Sequence, residues 1–192
     1  MPELTELEAQ AEILMEKITE LRKQLVDVNR KLGERDVDDY KLLDSNGNPV
    51  MLSELFGDKN DLILVHNMGK KCPYCTLWAD GFIGFTKHLN NRAAFVLVSP
   101  DESPVMKEFT EGRGWNFRCI SGYGSSFIKD MGYETDDGKY MPGVSTFRKS
   151  EDGSMRRVAK DYFGPGDPYC SVWHFFDLLE DREYDWSPKY RY

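Results

Sequence analysis

The sequence predicts an α/β fold, a mixed sheet flanked by helices on both faces with a long N-terminal helix ahead of it. Two observations carry that reading. Strand-sized apolar runs alternate with helical patterns in the order strand, helix, strand, helix, strand, helix, hairpin, helix, as expected for strands joined by helical crossovers. Ahead of them, apolar residues recur at helical spacing without interruption from Leu4 to Leu32. A chain of 192 residues supports one good core and an appendage rather than two comfortable domains. The expected division is a heptad-patterned helix over residues 1–33 and one domain with a C-terminal tail over residues 34–192.

In the helix, Leu4, Leu7, Ala11, Leu14, Ile18, Leu21, Leu25, Val28 and Leu32 are spaced three, four, three, four, a seam of about four heptads ending at Gly33. Its first half carries Glu3, Glu6, Glu8, Glu12 and Glu16, and its second carries Lys17, Arg22, Lys23, Arg30 and Lys31. That polarity complements the helix dipole. Parallel copies would set like charges side by side, whereas antiparallel copies set acid against base. An antiparallel homodimer through residues 4–32 is one expectation, and a single helix covered by its own domain is the other.

Val37 to Leu43 reads as strand-like, and Asp44-Ser45-Asn46-Gly47-Asn48-Pro49 as a turn whose Asn-Gly pair signals a hairpin returning at Val50 to Leu52. Ser53 to Phe56 is a capped helical turn closed by Gly57. Leu62 to His66 is a buried strand bounded by Asp61 and Gly69. The helix that follows starts at Pro73, packs through Leu77, Phe82, Ile83 and Phe85, and reaches about Leu89. Gly81 and Gly84 inside it predict a close approach or a bend. Ala93 to Ser99 is a strand, Ser103 to Glu111 a helix, Trp115 to Ile120 a strand containing Cys119, and Ser125 to Met131 a helix entered through the Gly122-Tyr123-Gly124 turn. Val144 to Lys149 and Met155 to Asp161 form a hairpin around Glu151-Asp152-Gly153. After the loop Gly164 to Pro168, an aromatic-rich helix from Tyr169 to Leu179 closes the domain. Trp186 pins an irregular tail from Asp181 to Tyr192.

The chemistry concentrates in Lys70-Lys71-Cys72-Pro73-Tyr74-Cys75, where an apolar run gives way to a helix. Pro73 suits the first helical position, because the N–H it lacks would be unsatisfied anyway. The unpaired N–H groups of that first turn and the helix dipole favour an anion on Cys72. The dipole supplies only roughly 0.3–1 kcal/mol, less than one pKa unit, so Lys71 and its neighbour Lys70 are expected to assist. Cys75, one turn deeper, is expected to be less exposed. That asymmetry makes Cys72 the nucleophile and Cys75 the resolving thiol. A zinc site would need a second ligand pair at compatible spacing, but Cys119 and Cys170 stand alone and His66, His88 and His174 are scattered. No metal and no cofactor are expected. Cys119 reads as a small buried apolar residue. Tyr169, Trp173, Phe175 and Phe176 read as core or interface.

A net charge of −8 without a basic stripe argues against nucleic acid as a partner. The longest apolar runs are strand-sized, far below a membrane span. The N-terminus lacks the basic start and apolar core of a signal peptide, and a CxxC suits a reducing compartment. A cytoplasmic location is the expectation.

Strand, CxxC at a helix start, strand, then a late hairpin and closing helix resembles the thioredoxin fold, with the inserted strand and helix of its peroxiredoxin-like branch, over roughly residues 37–180. The motif carries the same four letters as many glutaredoxins. More narrowly, Cys72 to Phe82 (CPYCTLWADGF), Ser121 to Phe127 (SGYGSSF) and Pro142 to Phe147 (PGVSTF), with the leading helix, resemble a bacterial family of unknown function labelled predicted dithiol-disulfide oxidoreductase. The resemblance implies a thiol-disulfide oxidoreductase whose partners are a disulfide-containing protein or small molecule and a thiol electron donor. It puts Ser145 where thioredoxins keep the cis-proline of their substrate edge. A cis bond before serine costs roughly 2.5–4 kcal/mol, so a trans peptide is expected. His66 falls in the interval of the buried acid of thioredoxins, where it can accept the proton of Cys75 or simply be satisfied by the backbone. Peroxiredoxins need a threonine or serine three residues before the peroxidatic cysteine and a proline four before that. Gly69 and Val65 hold those places, which argues against efficient peroxide chemistry at Cys72. Asp80, in the matched stretch, is expected to face solvent. Two alternatives stand beside the leading reading: a peroxiredoxin-like thiol peroxidase using Cys72 with Cys75 or Cys170, and a redox-inert dimeric interaction module.

Overall fold

In the computed structural model, residues 4–181 and 186–192 are described. Glu3 of the acidic half-helix and residues 182–185 of the tail lie outside them. The chain runs in order through α1 (Leu4–Gly33), β1 (Arg35–Val37), β2 (Lys41–Leu43), β3 (Pro49–Met51), a 3-10 turn (Leu52–Phe56), β4 (Asp61–His66), α2 (Pro73–Phe82), a second 3-10 turn (Ile83–Phe85), α3 (Thr86–Arg92), β5 (Ala94–Ser99), α4 (Ser103–Arg113), β6 (Arg118–Ser121), α5 (Phe127–Asp130), β7 (Gly143–Lys149), β8 (Met155–Tyr162) and α6 (Val172–Phe176).

Successive side chains on a strand point to opposite faces, and the central strands use both. Leu62 and Leu64 of β4 and Val96 and Val98 of β5 enter one core with Leu52, Phe56, Phe127, Ile128, Tyr133 and Phe147. Val65, Phe95 and Leu97 enter a second core with Trp78, Ala79 and Phe82 of α2, Phe163, and Trp173 of α6. The result is one mixed sheet in the order β1-β8-β7-β4-β5-β6-β2-β3. β4, β5 and β6 are parallel, and β7 and β8 antiparallel. Four peptide steps from Val37 to Lys41 reach at most about 14 Å. Laid flat, the six strand spacings from β1 to β2 would need about 29 Å. The sheet is therefore curled, wrapping the first core.

Several expectations change at this point. The strand-like stretch from Val37 to Leu43 divides into β1, paired with β8, and β2, paired with β3 and β6. Asp39 between them accepts the Ser53 N–H and hydroxyl at 2.8 and 2.7 Å, which fixes the crossing. The helix expected from Pro73 to Leu89 bends through Ile83–Phe85. The Thr86 hydroxyl bonds the Phe82 carbonyl at 3.1 Å, a back-bond that bends helices. Nothing packs where a side chain would extend from Gly81 or Gly84, so the bend and not a close approach explains them. Phe85, in the bend, is exposed rather than packed. The strand expected from Trp115 begins only at Arg118, the helix expected from Ser125 to Met131 is the single turn of α5, and the closing helix is only Val172–Phe176. Trp186 does pin the tail, with ring centroids 5.9 Å from Trp173 and 4.8 Å from Phe176.

Gly33 is the one described α1 residue that is buried. A β-carbon there would collide with the Ala159 backbone of β8, and its carbonyl accepts the buried Arg157 guanidinium at 2.7 Å. The same guanidinium reaches the Met131 carbonyl at 2.7 Å, fastening the end of the helix to the sheet. The seam itself is not covered by the chain's own domain. Every large seam side chain is 43–71% exposed. Among the described residues, no helix is long and apolar enough to cross a membrane.

Candidate active site

The C-terminal ends of β4, β5 and β6 open on one edge of the sheet, where open α/β sheets place their sites, and their loops are tied together. The Asn67 N–H reaches the Val98 carbonyl at 2.9 Å, and the Asn67 side-chain oxygen accepts the Gly69 N–H at 2.7 Å. Asp101, just past β5, accepts the Lys70 N–H at 2.7 Å and the Ser99 hydroxyl at 2.9 Å, while its carbonyl accepts the Ser121 hydroxyl at 2.6 Å. Gly69 has φ +93°, and a side chain there would press on the Asp101 carboxylate at 3.0 Å. Glycine alone meets both conditions without strain. This knot delivers the chain to α2 at a fixed place.

Cys72 caps α2 with its sulfur. It has extended φ and ψ, Pro73 follows at the first helical position, and its Sγ accepts the Cys75 N–H at 3.1 Å, as a serine or aspartate oxygen would. Cys75 lies on the stripe that α2 buries with Trp78, Ala79 and Phe82, so helical periodicity alone makes one sulfur partly exposed and the other buried. The Cys75 Sγ accepts the Met68 N–H at 3.4 Å. Both cysteines are free thiols. The Cys72 pKa falls from an ordinary 9.0 to about 7. The hydrogen bond from the Cys75 thiol lowers it most, burial opposes, and the N–H groups of Cys75 and Tyr74 lower it further. The Cys75 pKa rises, because its proton is held against the Cys72 sulfur and because it is buried. The first thiol is an ionised nucleophile near neutrality, and the second is a protonated donor to it.

The other candidate residues fall around this pair unequally. Lys71 is exposed, and no lysine is among the causes that lower the Cys72 pKa. His66 is buried and held below its ordinary 6.5, by burial first and then by the charges of Arg157 and Lys160, so it is neutral. Its ring stacks on Tyr133 at 3.6 Å between centroids, and its Nε2 pairs with the Ser145 hydroxyl at 3.1 Å. The Ser145 hydroxyl donates in turn to Tyr133 at 3.3 Å, and the phenol to the Val144 carbonyl at 2.6 Å. His66 Nδ1 is buried without a partner among the described residues. Ser145, expected on the substrate edge, turns its side chain into this core and is fully buried, and its strand is paired with β4 on one side and β8 on the other, so it presents no open edge to an incoming chain. Its peptide is trans, like every described one.

Asp80 faces neither sulfur nor open solvent. It binds the Arg113 guanidinium and accepts the Trp115 indole N–H at 2.8 Å, joining α2 to the end of α4. Arg113 also holds the Tyr190 carbonyl at 2.9 Å. That bond brings the tail beside the thiols: burial, then the charges of Cys72 and Cys75, raises the Tyr190 pKa. A cleft of about 450 Å³ opens there, lined by Lys70, Val105, Phe109, Arg113 and Tyr190. Cys119 is mostly buried, which lifts it to about 12, and Cys170 is raised by burial in the second core. Among the described residues, no group of three or more His, Cys, Asp or Glu side chains is placed to hold a metal ion.

Asp101, Asn67 and Tyr190 were not legible as site residues. The Ser99-Pro100-Asp101 turn at a strand end was the available signal for the first. Nothing local links Tyr190 to residue 72.

The sequence pattern of a family described as bacterial protein of unknown function (DUF899) matches residues 5–187. No curated protein matches the chain. Among solved structures, the chain is similar to peroxidoxin BcpB from Mycobacterium tuberculosis at 26% identity and a TM-score of 0.54, covering 68% of this chain and 84% of that one. It is similar to a cysteine-to-serine mutant of PrxQ from Xylella fastidiosa at 13% identity and a TM-score of 0.56, covering 74% and 91%. A peroxiredoxin-like protein from Aquifex aeolicus gives 15% and 0.53, covering 68% and 74%. The fold is thioredoxin-like, of the peroxiredoxin-like branch.

Proposed function

For this chain, which belongs to the DUF899 family of bacterial proteins of unknown function, we propose thiol-disulfide oxidoreductase activity through Cys72 and Cys75. The observation that carries the reading is the asymmetry of the pair at the α2 N-terminus: one sulfur partly exposed and acidified to about 7, the other buried and protonated against it. The likeness to a peroxidoxin at 26% identity supports thiol-based redox chemistry more generally.

The Cys72 thiolate attacks one sulfur of a substrate disulfide, forming a mixed disulfide and expelling the other sulfur as a thiolate, which takes up a proton. Cys75 loses its proton and attacks the Cys72 sulfur, breaking the mixed disulfide and releasing the second substrate thiol. The substrate gains two electrons, and the enzyme is left with a Cys72–Cys75 disulfide that a thiol donor reduces. The partners are a disulfide-bearing protein or small molecule and that donor, in a reducing, cytoplasmic setting. Lys71 adds positive charge at the helix tip. Ser145, on a strand paired with β4 and β8, ties β7 to His66 and does not meet the substrate chain. With a disulfide substrate, Cys72→Ser drops turnover to the uncatalysed background, and Cys75→Ser accumulates a mixed disulfide visible by mass spectrometry. Full activity in both variants overturns the mechanism.

The peroxidoxin likeness favours a second reading, in which the Cys72 thiolate attacks a hydroperoxide. That step gives an alcohol or water and a sulfenate, which Cys75 condenses to the same disulfide with loss of water. Stoichiometric consumption of hydrogen peroxide by the reduced protein distinguishes it.

A further inference from the structure

Along α1 the stripe from Leu4 to Leu32 is bare, its large residues 43–71% exposed, although α1 is anchored at Gly33. A 30-residue helix is about 45 Å long and about 10 Å across, so the stripe covers roughly 450 Å², the size of a monomer's largest apolar patch, which is often a functional one. Beside its second half, an apolar cleft of about 230 Å³ separates Leu25 and Val26 from Val144, Ala159, Pro168 and Tyr169 of the domain.

We infer that α1 pairs with α1 of a second copy, antiparallel and centred on Ile18, so that the first half of each helix roofs the other copy's cleft. Around that centre Leu4 meets Leu32, Leu7 meets Val28, Ala11 meets Leu25 and Leu14 meets Leu21. The one small seam residue, Ala11, falls opposite Leu25 at the cleft, where the partner helix must come closest. Charge selects the direction and the occupant. In this alignment the acidic half of each helix, with Glu6, Glu8, Glu12 and Glu16, runs along the basic half of the other, with Arg22, Lys23, Arg30 and Lys31, whereas parallel copies would align Glu6, Glu8, Glu12 and Glu16 with themselves. A partner must carry this charge order reversed along a matching seam, and a second copy turned end to end does so. About four heptads is enough for a coiled coil.

Sedimentation equilibrium of the full chain across a concentration series should show a monomer–dimer equilibrium. Ile18→Glu sets two carboxylates at the axis and should leave only monomer, with far-ultraviolet circular dichroism reporting an intact fold. Glu8→Lys, at a position that flanks the seam in the acidic half, should weaken association roughly three- to tenfold because it then faces the partner's basic half. A monomer at every concentration, or a dimer indifferent to Ile18→Glu, overturns the inference. A dimer that Glu8→Lys leaves unchanged or strengthens overturns the antiparallel arrangement.

Discussion

Two helices of this chain carry regular apolar stripes and end in opposite surroundings. On α2, Cys75, Trp78, Ala79 and Phe82 are buried against the sheet, while on α1 a longer and cleaner stripe from Leu4 to Leu32 faces outward. The difference is one of anchoring. α2 is entered through a loop knotted to β5 and β6 by Asn67 and Asp101, and its last turn is clamped to α4 by the Asp80–Arg113 pair. α1 meets the sheet through its C-terminal turns, which lie along β8 and end where Gly33 presses against it. A stripe says which face of a helix seeks cover, and the fastenings decide what supplies it.

The comparison breaks most sharply on stability. Trp78→Ala, in the packed stripe, should destabilise the domain by about 3–5 kcal/mol in denaturant unfolding. An effect below about 1 kcal/mol would mean that α2 is not a core helix. The two thiols sharpen it next, since one helix puts them in different media three residues apart. A thiol near 7 is about half ionised at neutral pH, whereas one at 9.0 is about one per cent ionised. Lowering the pKa enlarges the thiolate fraction, so the Cys72 alkylation rate should rise through a midpoint near pH 7 and stand roughly fiftyfold above an ordinary thiol's ionised fraction there. A midpoint near 9 would remove the activation, and equal rates at Cys72 and Cys75 would remove the asymmetry. The smallest effect belongs to the bare stripe. Leu14→Ala should change the domain's own unfolding by no more than about 0.5 kcal/mol, measured at high dilution, and a larger loss would show that α1 packs on its own chain.

Much of the fold could be read locally. The apolar runs of Leu62 to His66 and Ala93 to Ser99, the Asn46-Gly47 turn and the Glu151-Asp152-Gly153 hairpin each reflect a preference of a few neighbouring residues. The places that differed all depend on distant partners. Thr86 bends its helix by taking the Phe82 carbonyl, Asp39 splits an extended stretch by binding Ser53, and Asp80 turns from solvent to Arg113 and Trp115. Gly33 looked like a helix stop and is also the point where backbone meets backbone.

By itself the sequence determined the thiol spacing, the proline that starts the helix and the periodicity that buries Cys75 and not Cys72, because these follow from bond geometry within one helical turn. Only the tertiary structure decided that Tyr190 lies beside the sulfurs and that Ser145 and His66 face each other in the core. It also decided that the first helix stands uncovered. Such juxtapositions join residues far apart in the chain, and a curled sheet fixes them where no local preference can.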